Sequence, residues 1–312
     1  MNSTIAVLGG TGFIGSALTR ALVAAGFKVR VLARTSPSAS LASIRDRFEF
    51  VKVDASSGEN VLDCINDCSI IFDLANSTYP SSSMSSPIDD IRNNLLPRIY
   101  WLSRIHKTSV KRIVYLSSGG TVYGEPNYLP IDEMHPTQPI VAYGATKLAI
   151  ENYIQILCGE QRVQSTILRP SNVYGEGQQT ERQQGIVGIF IDRAKRSIPI
   201  SVFGSGQNIR DYIHLDDVVS ACIQILKYKG KEVIFNVGTG VGHSILDLIE
   251  MVQHELEQEI LVLHELERNF DVSENILDSS LLTNATGWKP LVQLSDGVKR
   301  CIIQQAENIS SS

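Results

Sequence analysis

The sequence has few residues that could cross-link the chain or bind a metal ion. The cysteines are odd in number and scattered, at Cys64, Cys68, Cys158, Cys222 and Cys301. The spacing Cys64-x-x-x-Cys68 could place two thiols on one face of a helix, but no His or further Cys nearby completes a metal-binding set. We therefore expect five reduced thiols, most of them buried, and no metal site.

Long apolar runs and an excess of basic charge are also missing. No apolar run approaches the length of a membrane-spanning helix. The net charge is -5 and the isoelectric point about 5.7, so nothing in the charge balance indicates a surface for nucleic acid. The chain enters an apolar stretch by Ile5, which leaves no room for a signal peptide. We expect a cytoplasmic protein that binds neither a membrane nor nucleic acid.

The most informative motif present is a glycine-rich turn near the start of the chain. Gly9-Gly10-Thr11-Gly12-Phe13-Ile14-Gly15 follows the apolar run 5–8 and precedes a stretch with helical spacing of apolar residues. A strand, a glycine turn and a helix in this order form a phosphate cradle, because backbone N–H groups and the positive end of the helix dipole point at the ligand. The spacing Gly9-x-x-Gly12-x-x-Gly15 leaves one more residue between the first two glycines than the commonest dinucleotide motif. A tight turn without a ligand is the alternative.

Strand-like and helix-like segments alternate over the first half of the chain. The predicted strands are 5–8, 29–33, 48–53, 70–74, 113–116 and 165–168, and the main helices between them are 91–106 and 143–157. Such alternation predicts an α/β fold with a doubly wound parallel sheet, whose ligand lies at the carboxyl ends of the strands.

The pattern changes after Pro170. We predict a loop over 175–185, helices over 186–196, 216–228, from 244 onward and over 294–307, a strand over 198–203, and a sheet strand over 233–237. These segments indicate a smaller mixed lobe, parts of which return to the sheet. The serine-rich stretch 81–86 is predicted to be a flexible loop or a mobile lid over the site.

Tyr143-Gly144-Ala145-Thr146-Lys147 opens a predicted helix. Residues four apart share a helical face, so the Lys147 ammonium is expected near the Tyr143 phenol. A nearby positive charge lowers the pKa of a phenol, and an oxidised nicotinamide would add a second one. The pair is therefore a candidate for proton transfer from a sugar or alcohol hydroxyl.

These motifs resemble those of the extended short-chain dehydrogenase/reductase superfamily, in particular its nucleotide-sugar epimerases and dehydratases such as UDP-glucose 4-epimerase. The resemblance spans nearly the whole chain. Besides the glycine turn and the Tyr143–Lys147 pair it rests on Leu116-Ser117-Ser118-Gly119-Gly120-Thr121-Val122-Tyr123-Gly124, Leu168-Arg169-Pro170-Ser171-Asn172-Val173-Tyr174-Gly175, and Phe203-Gly204-Ser205-Gly206 followed by Arg210-Asp211-Tyr212-Ile213-His214.

The resemblance implies a Rossmann-type fold in two parts. Residues 1–170 would form the dinucleotide-binding domain, with about 210–238 returning to it, and residues 171–312 would form the lobe that binds the nucleotide sugar. Family members form dimers through two helices per subunit, here 91–106 and 143–157, so the partners implied are a UDP-sugar substrate and a second copy of the chain.

One catalytic position departs from the family pattern. In the resembling epimerases a Ser or Thr hydroxyl lies five residues before the glycine of the Val-Tyr-Gly motif, and here Gly119 occupies that place. Ser118 or Thr121 could supply the hydroxyl instead, or Gly119 could indicate a relative without catalysis that senses the cofactor. The resembling dehydratases carry two acids in this loop, and their absence here argues against dehydration.

The resemblance also implies the ligand contacts. Cofactor contacts are expected from Gly9, Gly12, Phe13, Ile14, Gly15, Arg34, Asp54, Ala55, Leu74, Ala75, Ser77, Asn94, Tyr143, Lys147 and Pro170. Substrate contacts are expected from Asn172, Ser201, Phe203, Arg210, Arg268, Asp271 and Asn275. The segment Asp73-Leu74-Ala75-Asn76 replaces the family's usual His-x-Ala-Gly, and the role of Asp73 stays open.

The choice of nicotinamide cofactor stays open between NAD and NADP. Family members specific for NAD end the second strand with Asp, whereas this chain has Ala33 followed by Arg34. A missing acid and an arginine suit the 2′-phosphate of NADP, but the resembling epimerases keep NAD bound.

The function expected is therefore 4-epimerisation of a UDP-hexose or UDP-N-acetylhexosamine through transient oxidation at C4. Asn275 matches the position that limits bulk at the sugar C2 substituent, and its small side chain predicts acceptance of N-acetylhexosamines. A nucleotide-sugar 4-keto reductase that consumes NADPH is the alternative enzyme.

Overall fold

The computed structural model describes residues 3–178, 185–268 and 271–310. The chain divides into two compact units. The first unit consists of Met1–Val122, Thr137–Arg169 and Cys222–Phe235, and the second of Tyr123–Pro136, Pro170–Ala221 and Asn236–Ser312. Residues 179–184, which contain most of the loop predicted over 175–185, lie outside the described residues.

A seven-stranded sheet organises the first unit. Its strands are β1 (Thr4–Leu8), β2 (Lys28–Ala33), β3 (Glu49–Lys52), β4 (Cys68–Asp73), β5 (Arg112–Leu116), β6 (Gln164–Pro170) and β10 (Ile234–Val237). The strand order is β10-β6-β5-β4-β1-β2-β3, and the pairs among the first six strands are parallel. The order reverses between β1 and β4, which is where a doubly wound sheet binds its ligand. The predicted fold class is confirmed.

Helices follow the strands of the first unit in alternation. They are α1 (Phe13–Ala24), α2 (Gly58–Cys64), α3 (Pro80–Ser85), α4 (Pro87–Asp90), α5 (Leu96–Leu102), α6 (Gly119–Val122) and α7 (Ala142–Glu160), with 3-10 segments at Ala39–Arg47 and Ile105–Lys107. Helix α7 turns Ile150, Ile154 and Cys158 into the core, where they are fully buried with Trp101 and Tyr115. Spacing by four residues places these three side chains on one face.

The single helix predicted over 91–106 is interrupted. A π-helical turn, Ile91–Leu95, joins α4 to α5, and the Leu96 N–H donates to the Ile91 carbonyl five residues back. Pro97 follows at once and has no N–H to continue a regular α-helical ladder. The wider turn is therefore the local solution to a proline inside a helical run.

Among the described residues, six short strands and five helices build most of the second unit. The strands are β7 (Asn172–Tyr174), β8 (Ile200–Phe203), β9 (Ile209–His214), β11 (Gly242–Ser244), β12 (Val262–Glu265) and β13 (Glu274–Asn275). The helices are α8 (Ile186–Lys195), α9 (Leu215–Ile225), α10 (Ile245–Leu256), α11 (Ser280–Thr286) and α12 (Leu294–Ser310). Strand β9 pairs with β7, β11 and β13, and β8 pairs with β12. A separate apolar core packs α8, α10 and α12 together.

Several local predictions were wrong. The serine-rich stretch 81–86 is not a loop, because Pro80–Ser85 forms α3. Cys64 ends α2 whereas Cys68 begins β4, so the two thiols do not share a helical face. Strand β9 belongs to the small sheet of the second unit, and the part of 210–238 that lies in the first unit is Cys222–Phe235.

The five cysteines carry free thiols, as the sequence predicted. All five cysteines are free, four are buried, and Cys64 is partly exposed. Among the described residues no group of three His, Cys, Asp or Glu side chains is placed to hold a metal ion. Within the same residues no helix has the length and apolar character needed to cross a membrane.

A buried ion pair ties α7 to the sheet. The Arg169 guanidinium on β6 donates to both carboxylate oxygens of Glu151, with an Nη2 to Oε2 distance of 2.6 Å, and the Ser117 hydroxyl donates to the same carboxylate. Both charged side chains are almost completely excluded from solvent. Loss of one partner would leave an uncompensated charge in the interior.

Glu151→Gln should lower the free energy of unfolding by about 3 kcal/mol, because Arg169 then stays buried without its counter-charge. Urea denaturation followed by circular dichroism measures the change. Glu160→Gln, at an exposed position of the same helix, is the matched control and should stay within about 0.5 kcal/mol of the parent. Equal stabilities of the two variants would show that the pair does not stabilise the fold.

Candidate active site

The glycine turn between β1 and α1 is packed too tightly for side chains. Gly9 has a φ of +84°, and a Cβ there would lie 2.9 Å from the backbone of Ala75 at the end of β4. A Cβ on Gly15 would lie 2.1 Å from the Gly9 carbonyl oxygen. Glycine is required at both positions because the turn folds against itself and against β4.

Helix α1 begins at this turn without a side-chain cap. Gly12 is the N-cap residue in an extended conformation, and the first turn, which starts at Phe13 and Ile14, contains no acidic residue. The backbone N–H groups of that turn and the positive end of the helix dipole are therefore available to an anion. Together with the glycine positions this cradle fits a dinucleotide pyrophosphate.

The ends of β2 and β3 form an open depression of about 600 Å³. It is lined by Arg34, Lys52, Val53, Asp54, Asn60, Asp63 and Cys64. The Asp54 carboxylate accepts a hydrogen bond from the Ser56 N–H at 2.9 Å, and this bond, with a smaller contribution from Arg34, lowers the pKa of Asp54. The depression brings together Arg34 and Asp54, which were both predicted to contact the cofactor, and Ala55 follows directly.

Asp73, whose role the sequence left open, forms a buried ion pair. Arg98 of α5 donates to both Asp73 oxygens, at 2.7 and 2.9 Å, and also donates to the carbonyl oxygens of Ala75 and Asn94. Asp73 is therefore a structural partner rather than an open ligand contact. Through Arg98 it fixes the backbone of Leu74 and Ala75, against which Gly9 packs.

Ser77 and Asn94 contact each other. The Asn94 side-chain oxygen accepts hydrogen bonds from the Ser77 N–H at 2.9 Å and the Ser77 hydroxyl at 3.1 Å. The Asn94 amide donates to Thr78 and to Asp90. These bonds shape the segment that follows β4; direct contact of Ser77 and Asn94 with a cofactor stays a prediction.

Tyr143 and Lys147 lie in the first turns of α7, as predicted. The Lys147 ammonium lies 5.6 Å from the centre of the Tyr143 ring and donates to the Leu116 carbonyl at 3.0 Å. The N–H of Tyr143 donates to the Ser83 hydroxyl at 2.9 Å, so α3 caps the helix that carries the pair. Lys147 is only 3% exposed, which makes its charge costly to maintain.

The sequence predicted that the Lys147 ammonium lowers the pKa of the Tyr143 phenol, and the structure contradicts this. Burial, with a smaller contribution from the nearby Arg98 guanidinium, lowers the pKa of Lys147 to about 7. Burial raises the pKa of Tyr143, the Asp90 carboxylate raises it more, and Arg98 is the cation that lowers it. In the protein alone the lysine therefore does not make the tyrosine acidic, and burial outweighs the surrounding cations.

Ser118, Gly119 and Thr121 lie where β5 runs into α6. The Thr121 hydroxyl oxygen is buried and has no hydrogen-bond partner among the residues that the structure describes. The Thr121 carbonyl packs so closely on α7 that a Cβ on Gly144 would lie 2.3 Å from it. Ser118 is partly exposed, and its carbonyl accepts from the Thr121 N–H. The structure thus brings Thr121 to the first turn of the helix that carries Tyr143, while Pro170 lies buried at the end of β6.

The predicted substrate residues belong to the second unit. Arg210 on β9 donates to the carbonyl oxygens of Ile209 and Ser273, and burial lowers its pKa. Register pairs Arg210 with Asn275 of β13, which is 1% exposed. Asn172 on the neighbouring strand β7 donates to the Asp211 carbonyl at 3.2 Å. Three of the predicted residues therefore occupy adjacent strands.

Arg268 and Phe203 form a second group in this unit. The Arg268 guanidinium stacks 4.0 Å from the centre of the Phe203 ring and donates to Asp271 at 2.9 Å. Asn269 and Phe270, between Arg268 and Asp271, lie outside the described residues. Ser201, two residues before Phe203, is partly exposed on β8.

Sequence reasoning missed Ser83, Asp90 and Arg98. Ser83 was hidden in a stretch whose composition is typical of loops. A signal for Arg98 was present, because an acid at the end of a buried strand needs a cation and Arg98 lies on a helix that follows. Asp90 had no comparable signal, since its partners are neutral side chains.

The chain is similar to known proteins over most of its length. The NAD dependent epimerase/dehydratase family matches residues 5–238. A putative UDP-glucose 4-epimerase of Methanocaldococcus jannaschii is 34% identical over 96% of this chain and 97% of its own length. The dTDP-4-dehydro-6-deoxyglucose reductase of Escherichia coli is 30% identical over 96% of each chain.

Among solved structures, the UDP-glucose 4-epimerase of Thermotoga maritima, solved with UDP-glucose, has a TM-score of 0.92. It is 29% identical over 98% of this chain and 99% of its own. The expected nicotinamide cofactor and the expected likeness to nucleotide-sugar epimerases are confirmed, and NAD is the cofactor that the family match supports. The chain therefore belongs to the NAD dependent epimerase/dehydratase family.

Proposed function

We propose that the chain is a UDP-sugar 4-epimerase. The observation that carries the proposal is the placement of Tyr143 and Lys147 on α7, in the same unit as a glycine cradle that fits NAD. The first unit, corresponding to the predicted 1–170 domain, would hold NAD through the glycine turn and Asp54. The second unit, largely within 171–312, would hold the nucleotide sugar.

Bound NAD would supply a hydride acceptor that returns the same hydride, so no net redox change occurs. Tyr143 would take the proton from the sugar O4 while hydride leaves C4, and would return it after the 4-keto sugar has presented its other face. The Thr121 hydroxyl, which is buried and has no hydrogen-bond partner among the described residues, is the candidate that we favour over Ser118 to hydrogen-bond the sugar oxygen in place of a side chain at Gly119.

Lys147 would orient Tyr143 rather than transfer a proton itself. Its bond to the Leu116 carbonyl fixes the ammonium beside the Tyr143 ring. Because burial lowers its pKa to about 7, the lysine gains charge readily when an additional anion forms nearby. A phenolate on Tyr143 is such an anion.

Arg210 and Arg268 would bind the diphosphate. Arg210 is desolvated and donates to carbonyl oxygens, so a dianion offers it a stronger acceptor than it has now. Arg268 would bind phosphate while Asp271 holds the ribose hydroxyls, and Phe203 and Ser201 would face the base. Asn172 would contact the phosphate region.

Two observations favour a second function, that of a nucleotide-sugar 4-keto reductase. The Escherichia coli reductase matches this chain over nearly its full length, and Arg34 follows β2 where an acid would select NAD. A 4-keto reductase would consume one NADPH for each product, whereas an epimerase works with cofactor already bound. Intact Tyr143 and Lys147 argue against a relative without catalysis.

We also propose a homodimer formed through the helical run Pro87–Leu102 and α7. These helices pack together in the first unit and expose apolar side chains, among them Ile88 and Ile156, each 63% exposed. Exposed apolar groups this large are typical of an interface. The cytoplasm stays our expectation for its location, consistent with five free thiols.

The function is tested by incubating the purified protein with a panel of UDP-hexoses and UDP-N-acetylhexosamines, without added cofactor, and identifying products by NMR. Tyr143→Phe should lower the rate about 10²–10⁴-fold because the proton acceptor is lost. Tyr153→Phe, an exposed tyrosine on the same helix, should match the parent. Stoichiometric NADPH consumption would identify the reductase, and equal rates of the two variants would refute a role for Tyr143.

Asn275→Tyr should reduce turnover of UDP-N-acetylhexosamines relative to UDP-hexoses by about tenfold or more, because the larger side chain removes space near the sugar C2 substituent. The hexose rate of the same variant is the internal control for folding. An unchanged ratio would show that Asn275 does not determine substrate choice.

Ile156→Asp should convert the protein from dimer to monomer in light scattering, since a charge cannot be buried unpaired in the interface. Ile303→Asp is the control, at an isoleucine of α12 that is 52% exposed. Dissociation caused by both variants, or by neither, would contradict the proposed dimer surface.

A further inference from the structure

Three carboxylates are buried around α7, and one of them has no cationic partner. Asp73 pairs with Arg98 and Glu151 pairs with Arg169. Asp90, which is 1% exposed at the end of α4, forms no ion pair with any Lys or Arg in the part of the chain that the structure describes.

Neutral donors from three elements surround the Asp90 carboxylate. One oxygen accepts from the Thr78 hydroxyl and from the Asn94 amide at 2.8 Å. The other accepts from the Thr146 hydroxyl at 2.6 Å. Such donors hold a carboxylate in place without neutralising its charge. Burying a carboxylate without an ion-pair partner costs free energy of folding. This cost argues that Asp90 does more than fill space in the core.

Thr146 connects Asp90 to the catalytic helix. It lies between Tyr143 and Lys147 in sequence, three residues after Tyr143, so it shares a face of α7 with the tyrosine. The hydrogen bond from Thr146 therefore sets the rotation of these first turns relative to the helical run that carries Asp90. The Ser83 hydroxyl holds the same turns through the Tyr143 N–H.

We propose that Asp90 is a positioning residue of the active site, which orients the first turns of α7 through its hydrogen bond with Thr146. Its negative charge, which forms no ion pair among the described residues, also opposes ionisation of the Tyr143 phenol. The proposal rests on the proposed function for the catalytic meaning of Tyr143, but not for the electrostatic effect. The Asp90 charge would help Tyr143 to retain the proton taken from the sugar until the 4-keto sugar is reduced.

Other charged groups face the same turns. They are Asp73 on β4, Arg98 on α5, Tyr115 on β5, and Lys147 and Glu151 on α7. Asp90 raises the pKa of Tyr143 and Arg98 lowers it. Because Asp73 and Glu151 are each paired with an arginine, removal of Asp90 alters the local charge by one unit without breaking an ion pair among the described residues. Asp90 also raises the pKa of Lys147, so its removal acts on both members of the Tyr143–Lys147 pair.

The test compares Asp90→Asn with Asp89→Asn in protein loaded with NAD. Asp89 is the adjacent carboxylate, exposed and 3.9 Å from Arg92, so its loss changes the net charge equally. Tyrosinate absorbance is titrated against pH, and the signal of Tyr143 is isolated by subtracting the titration of Tyr143→Phe made in the same background. The Tyr143 transition should occur about one pH unit lower in Asp90→Asn and stay in place in Asp89→Asn.

A transition unchanged in Asp90→Asn, or shifted equally in both variants, would overturn the proposal. This readout needs no substrate, so it stands even where the UDP-sugar panel gives no product. With a substrate in hand, the acidic limb of the kcat profile should move to lower pH in Asp90→Asn, because a tyrosine that ionises more readily is deprotonated at lower pH.

Substitutions of Thr146 test whether Asp90 orients the first turns of α7. Thr146→Val removes the donor and should lower kcat about tenfold with KM little changed, whereas Thr146→Ser keeps the hydroxyl and should restore kcat. These variants also serve if Asp90→Asn does not fold. Equal kcat in the valine and serine variants, or loss of bound NAD in both, would show that Thr146 has no orienting role.

Discussion

Burial of charge around α7 is the constraint on which the first unit depends. Lys147, Arg98 and Arg169 lie there with Asp73, Asp90 and Glu151, and each side chain is at most 3% exposed. Arg98 pairs with Asp73 and Arg169 pairs with Glu151, and these ion pairs let a sheet and a helix pack tightly around ionised groups. Asp90 and Lys147 form no ion pair among the described residues. A phenolate on Tyr143 would add an anion, and an oxidised nicotinamide would carry a cation to match it.

Burial explains why the tyrosine is not acidic in the protein alone. The i, i+4 spacing correctly predicted that Tyr143 and Lys147 would be neighbours, because that spacing depends only on helix geometry. It did not reveal that burial would bring the lysine pKa to about 7 and raise that of the tyrosine. Those shifts come from residues on other strands and helices, which lie far apart in sequence and have no shared pattern.

The fold was more predictable than the site for a similar reason. Apolar runs and glycine spacing act locally, so β1, the turn at Gly9 and α1 could be assigned from the sequence, and the alternation of strands and helices predicted a doubly wound parallel sheet. What could not be assigned depends on tertiary contact. Asp73 was ambiguous until Arg98 was seen beside it, and the π-helical turn before Pro97 was hidden within a run of helical spacing. The residues of β9 gave no sign that this strand pairs with β7, β11 and β13 instead of joining the large sheet.

The bond from the Tyr143 N–H to Ser83 changes how the serine-rich stretch should be treated by anyone who redesigns this chain. Its composition invites use as a tolerant insertion point or as a loop for grafting new specificity. Yet α3 holds the first turn of α7 through this bond, and lengthening or randomising α3 would displace the Tyr143 phenol while leaving both side chains of the proposed catalytic pair intact. Libraries aimed at new sugars should keep α3 constant and place diversity on the strands of the second unit.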